Sequence, residues 1–286
     1  MTRIAAITHA RHDDFFLEIW VCHYSKLVGA ENCFVILDGD DWKSEVDLSG
    51  VNVAINTTRF YRRIKHDAHL ANTKNARITE LLGDYDYCIN TDCDEMVCVD
   101  PSSGKSLQEA VAEAGDNPIL NSRGVEIVHN YEAEPAFDPA LPILQQRRHA
   151  VIYSLYFKPN VIAKPASIRA GGHGARDATF RLSASLILFH LANLDRDRLE
   201  QRITAREGTT FKETTVSRLD YFAPVRNGVA PLDYDEVMAD VSQRLGGGET
   251  TDNYVAPGFR DGNVRLHRWR TGFYVKLPDR FRLIVL

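Results

Sequence analysis

Asp92, Asp94 and Glu95 stand together in the stretch Asp84–Asp100, DYDYCINTDCDEMVCVD. Tyr87–Asn90 reads as a buried strand that runs out into these carboxylates. Side chains alternate along an extended chain, so Asp92 and Asp94 project one way and Cys93 the other. Two adjacent carboxylates repel each other and are costly to bury alone. A divalent cation relieves both problems, and hard oxygen ligands suit Mg²⁺ or Mn²⁺. Such a cation would carry the phosphates of a substrate. A solvated acidic turn after a strand is the plain alternative.

The elements around this stretch read as strand and helix in alternation. Arg3–Thr8 is a short apolar run fit for a first buried strand. A helix begins near Phe15, with Phe16, Ile19, Trp20, His23 and Leu27 on one face and Gly29 as its stop. Asn32–Leu37 is a second strand and ends in Asp38-Gly39-Asp40-Asp41. Val51–Asn56 is a third strand, and about His69–Leu82 a second helix ended by Gly83. Strand, helix, strand with short joints implies right-handed crossovers and a parallel sheet. Ligands of such sheets bind beyond the carboxyl ends of the strands, where Asp38 and Asp92 are both expected. Arg59, Arg62, Arg63 and Lys65 precede the second helix. Arg62 and Lys65 are candidates to neutralise a diphosphate, against the bland reading of a solvated helix start.

Beyond Asp100 the pattern is less regular. Ser106–Ala114 is a short helix, Pro118–Asn121 begins a strand, and Gly124–Asn130 is a strand carrying Glu126 and His129. Pro135, Pro139 and Pro142 mark a long connection suited to an acceptor pocket. Val151–Phe157 and Pro159–Ile162 are strand-like. Ser167–Asp177 is a glycine-rich loop with His173 and Asp177, and Ser183–Leu191 an apolar strand with His190 near its end. Asp195–Arg206 is a charged helix and Leu232–Leu245 another. The tail from Val264 is basic and aromatic. It either packs back on the domain or lies against an anionic membrane, with Trp269, Phe273 and Tyr274 at the interface.

The bulk numbers narrow the class. The chain has 286 residues, 44% hydrophobic and 26% charged, as expected of a soluble globular protein. A net charge of −5 argues against nucleic acid as a partner. No apolar run approaches the roughly 20 residues that span a bilayer, and the N-terminus lacks a signal-peptide pattern. Five cysteines, an odd number, fit reduced thiols in a cytoplasmic protein.

Taken together, these residues resemble the family-2-like glycosyltransferases with a GT-A fold. Glu18, Trp20, His23, Leu27 and Gly29 match the family's first helix, and Asp38–Asp41 its acidic turn. Asp92-Cys93-Asp94-Glu95 matches its D-x-D-E. Lys158-Pro159 (or Lys164-Pro165), His173, and His190 before a charged helix match later segments. The family usually has Asn-Glu after the first strand, where this chain has His12-Asp13, and D-x-S-x-D at the turn.

The resemblance implies an α/β fold: a mostly parallel, Rossmann-like sheet flanked by helices. The transferase domain would cover residues 1–206, with a nucleotide-binding half to about 100 and an acceptor-binding half after it. Residues 207–286 would form a helical or irregular extension packed on it. It also implies a metal-dependent transfer of a sugar from a UDP- or GDP-type donor to a glycan or lipid-linked hydroxyl, with inversion. Asp38 would contact the nucleoside. Asp92 would bind donor and metal, Asp94 the metal, and His190 would be a further ligand of Mn²⁺ or Mg²⁺. Asp177, His173 and Glu126 are the candidates for the base that takes the hydroxyl proton. The enzyme would be cytoplasmic, touching the membrane at most peripherally through its tail.

Three other readings remain. Asp92-Cys93-Asp94-Glu95-Met96 approximates the D-x-D-x-[TV] of haloacid-dehalogenase-like phosphatases, but that motif normally ends the first strand of its domain. A sugar nucleotidyltransferase would want a glycine-rich phosphate loop after the first strand, and HARHDD has none. A non-catalytic sugar-nucleotide binder would bind without turnover.

Overall fold

The computed structural model describes residues 2–176, 178–206, 215–246, 253–255, 264–267 and 270–286. These fall into two compact units. The first comprises Met1–Arg123, Phe157–Leu188 and Glu249–Ala256, the second Gly124–Tyr156, Phe189–Gly248 and Pro257–Leu286.

The first unit opens with β1 (Ile4–Ala10), α1 (Asp14–Val28), β2 (Cys33–Asp38), β3 (Asn52–Asn56), α2 (Arg63–Leu81) and β4 (Tyr87–Asn90). β1 pairs in parallel with β2 on one side and β4 on the other, and β2 pairs in parallel with β3. The order β3-β2-β1-β4 reverses next to β1, where the chain returns from β3 to the far side of the sheet. β2 is buried along its whole length and β1 along nearly all of it, which explains their continuous apolar runs. β3 is the exposed edge. β5 (Glu95–Val99) follows β4 after one short turn. Antiparallel β8 (Pro159–Ile162) and the first residues of β6 (Ile119–Val128) extend the sheet beyond β4. The mixed α/β fold with a parallel strand core is thus as the sequence implied.

The two helices begin and end for local reasons. Asp14 in the first turn of α1 suits the positive end of the helix dipole. Gly29, at φ 94°, ends the helix in a conformation that a side chain would resist. α1 buries Phe16, Leu17, Trp20 and Tyr24. α2 starts at Arg63, six residues before the expected His69, and buries His66, Leu70, Lys74, Ile78 and Leu81 at steps of four and three. Two members of that buried stripe are polar.

His23 of α1 places Nε2 3.0 Å from the Val97 carbonyl in β5. Burial pushes its pKa down to about 4 from 6.5, against the raising effect of that hydrogen bond. A depressed pKa means that the unfolded chain binds the proton more readily. The stabilisation is therefore complete above pH 6.5 and is lost as the pH falls toward 4. His23→Gln is expected to remove about 1–2 kcal/mol of that acid-dependent loss, after discounting for its partial exposure. Guanidinium titrations at pH 7, 5.5 and 4.5 test this; an unchanged pH slope in the variant would rule out the histidine as its source.

The second unit contains the remainder of β6, β7 (His149–Ile152), the end of the strand Leu182–Asn193, the helix Arg196–Ala205 and the strands of the C-terminal segment. β6 pairs antiparallel with β7. Arg270–Lys276 is a strand, antiparallel to β7 and parallel to Leu232–Asp233. The C-terminal segment therefore contributes a sheet strand, where a helical or irregular extension was expected. Phe273 is 8% and Tyr274 1% exposed, so these two aromatics pack inward, not at a membrane interface. Trp269 lies outside the described residues. Among the described residues no helix is long and apolar enough to cross a membrane.

Candidate functional site

The carboxylate stretch is pinned from α1. Trp20 Nε1 donates to Thr91 Oγ1 at 2.8 Å, and the Tyr24 hydroxyl accepts from the Val97 amide at 2.9 Å. The two aromatic residues thus hold both ends of the segment that carries Asp92 and Asp94. Glu95 closes the turn from within. Its carboxylate accepts the Asp92 amide at 3.1 Å, while its own amide donates to the Asp92 carbonyl. Glu95 is fully buried and forms a close ion pair with Lys158. The last residue of D-x-D-E is a structural brace.

Asp92 is the exposed member of the cluster, its side chain 35% accessible. Lys158 Nζ donates to its Oδ2 at 3.0 Å, and Lys74 Nζ stands 3.8 Å from its Oδ1. His9, in β1, places Nδ1 3.8 Å from Oδ1. Burial would raise the Asp92 pKa, but Lys158, Lys74 and His9 outweigh it and hold the carboxyl well below its usual range. His9 is pushed down to about 4 by burial and by Lys74, so its imidazole is neutral at pH 7. Lys74 also donates to the Thr91 carbonyl at 2.9 Å. Gly172, at φ 72°, brings the glycine-rich loop close: a Cβ there would lie 3.5 Å from Lys158 Nζ.

The end of β2 carries a second buried network. Asp38 is 2% exposed and accepts from Asn56 Nδ2 at 2.8 Å on Oδ1, while His66 Nε2 lies 2.8 Å from Oδ2. His69 Nε2 meets Asn56 Oδ1 at 3.0 Å. His66 is buried, and its Nδ1 has no hydrogen-bond partner. Beside this network Arg11 grips Asp41 through both guanidinium nitrogens, at 2.9 and 2.8 Å, and donates to the Asp38 carbonyl. Asp41 is held low first by Arg11, and Arg59 adds to the effect.

Not every expected residue joins this cluster. Arg62 and Lys65 are exposed at the start of α2. The cations against Asp92 are Lys74, which no sequence motif marks, and Lys158. His173 sits in the glycine turn, partly buried. Asp177 lies outside the described residues. Glu126 and His190 belong to the second unit and pair there, with Nδ1 2.6 Å from Oε2. Glu126 also accepts the Asn193 amide at 3.1 Å, and Arg218 approaches to 3.7 Å. Tyr156 stacks on His190 with ring centroids 4.5 Å apart. Gly124 makes room for this corner, since a Cβ there would come within 2.0 Å of the Tyr156 carbonyl.

Among the described residues no three His, Cys, Asp or Glu side chains gather to hold a metal. The turn itself retains two hard oxygen donors, Asp92 and the buried Asp94. That set suits Mg²⁺, which is commonly held by one or two carboxylates and completed by substrate phosphates and water.

No protein-family profile matches the chain, and no curated protein matches it. Among solved structures it is similar to a CMP:2-keto-3-deoxy-manno-octonic acid synthetase complexed with CTP. The alignment covers 85% of this chain and 100% of the synthetase, at 11% identity and a TM-score of 0.29. A likeness that coarse carries no argument about activity.

Proposed function

We propose that this chain is a glycosyltransferase that moves a sugar from a nucleoside-diphosphate donor to a hydroxyl acceptor. The observation that carries the reading is one of place. Asp38 ends β2, His9 lies at the end of β1, and Asp92 and Asp94 follow β4. All three strands are parallel neighbours, and the strand order reverses between β1 and β4. The crevice beyond the carboxyl ends of strands at such a reversal is where doubly wound sheets bind nucleotides.

In this reading the nucleoside lies against the Asp38–His66–Asn56 network. Asp94, with Asp92 beside it, holds Mg²⁺ or Mn²⁺ together with the donor phosphates. The ion, when bound, neutralises charge that develops on the leaving diphosphate. Trp20, Tyr24 and Glu95 fix the carboxylate turn before substrate arrives, so little reorganisation is needed at reaction. The acceptor is a glycan or lipid-linked hydroxyl. If the reaction inverts, His173 is the described candidate to take its proton, because Glu126 is fully buried and paired.

Calorimetric titration with UDP, GDP and their sugar conjugates, with and without Mn²⁺, tests the proposal. Binding of one nucleotide family, strengthened by Mn²⁺, is expected, followed by sugar transfer to a glycan acceptor. Consumption of a nucleoside triphosphate with pyrophosphate release would instead make it a nucleotidyltransferase. Asp92-dependent release of inorganic phosphate would make it a phosphatase.

A further inference from the structure

Lys74 is an unusual residue for its position. It lies in the middle of α2, on the face that buries Leu70 and Ile78, with its side chain only 9% exposed. A buried ammonium is costly unless it is fully paired. Lys74 uses one of its three N–H donors on the Thr91 carbonyl, and its nearest carboxylate oxygen is 3.8 Å away, beyond hydrogen-bond length. A lysine that served packing alone would be expected to make a direct ion pair. Burial lowers its pKa, and Asp92 and Glu95 oppose that fall.

Lys158 completes the arrangement from the other side. Its side chain is 5% exposed, and it meets Oδ2 of Asp92 while Lys74 faces Oδ1. Asp92 thus lies between two buried cations, an oxygen toward each, while Lys158 also keeps its close ion pair with the buried Glu95. Burial alone would depress the Lys158 pKa, but Asp92 and Glu95 hold it above the usual lysine value. Asp92 itself is the partly exposed member. A ligand with two linked anionic oxygens fits the same pair of cations, and phosphate oxygens are the natural match at this end of a parallel sheet.

We infer that Lys74 and Lys158 are a diphosphate-binding pair, and that Asp92 occupies their charge until a diphosphate displaces it. Asp92 is then a positioning residue for two lysines, and Asp94 is the carboxylate for the cation. The inference deepens the glycosyltransferase reading, and it names the part of the donor that these lysines recognise. It also separates two contributions to donor binding, one from the lysines and one from the metal.

The test uses inorganic pyrophosphate and the full-length chain in EDTA, followed by calorimetry. The wild type is expected to bind, and Lys74→Met and Lys158→Met are each expected to weaken binding at least tenfold. Lys→Arg at either position should recover part of it. Asp92→Asn should tighten metal-free binding about three- to tenfold, because a competing carboxylate has gone. A metal-ligand role for Asp92 predicts no metal-free change, so this variant decides the matter even if a methionine variant does not fold. Failure of the wild type to bind pyrophosphate, equal binding by methionine variants that melt like the wild type, or no tightening in Asp92→Asn would each overturn the inference. Parallel titrations with UDP and GDP keep the two ideas apart. Lysine-dependent pyrophosphate binding with no gain from any nucleoside leaves the pair standing and the transferase reading lost. Mn²⁺-dependent nucleotide binding that ignores both lysines does the reverse.

Discussion

Asp94→Ala is expected to abolish the Mn²⁺-dependent part of nucleotide binding, a loss of about 100-fold or more in affinity. The reason lies in the frame around the residue. The turn from Thr91 to Val97 is fastened by Trp20 at one end and Tyr24 at the other, and Glu95 braces its middle. Removing one side chain from so constrained a turn deletes a ligand without redrawing the backbone. The variant and metal removal should therefore act on the same quantity. EDTA should reduce wild-type affinity to the level of the variant, and should then do nothing further to the variant. Such complete non-additivity is the signature of two changes acting through one interaction. Calorimetry with and without EDTA on both proteins measures it. A variant that kept the wild-type response to Mn²⁺ would remove Asp94 from the cation site.

Much of this site follows from one-dimensional pattern, and the exceptions have identifiable causes. Mostly apolar runs mark β1 and β2 because both faces of a parallel sheet are covered. Asp38 and Asp92 then fall at strand ends by simple counting. Lys74 is inconspicuous in a helix that begins at His69. With the start at Arg63, the buried steps His66, Leu70, Lys74, Ile78 and Leu81 form one stripe, and a cation within it becomes conspicuous. His9 escaped because a polar residue near a glycine-free turn reads as loop, whereas in the fold it pairs in register with Ile36. β5 escaped because Glu95 at its head looked like part of the acid cluster, although MVCV behind it is fully apolar. The C-terminal strand hides among arginines and lysines, since only its partners β7 and Leu232–Asp233 reveal which residues turn inward. The pairing of Glu126 with His190 joins distant strands, and no local period records it.

That pair supports the second large effect. Glu126 is fully buried, lies 2.6 Å from His190 Nδ1, accepts the Asn193 amide, and has Arg218 at 3.7 Å. A carboxylate is acceptor-only when ionised, so at 2.6 Å it favours the tautomer that carries its proton on Nδ1. Glu126→Ala removes the buried carboxylate that faces His190 and that Arg218 approaches. Breaking a buried pair in this way costs about 3–5 kcal/mol, to be read by chemical denaturation at pH 7. Glu126→Gln keeps the shape and an oxygen for Asn193, and should cost about 1–2 kcal/mol. Its amide donates where the carboxylate accepted. Nδ1 must then accept, and the ring proton moves to Nε2. Nitrogen chemical shifts of His190 should report that exchange in a protein that is still folded. A wild-type tautomer in Glu126→Gln, or a cost below about 1 kcal/mol in Glu126→Ala, would show that the carboxylate neither orients the imidazole nor anchors this corner. Both expected results together would explain why a carboxylate proposed as a base is better understood as the group that decides which nitrogen of His190 faces outward from the pair.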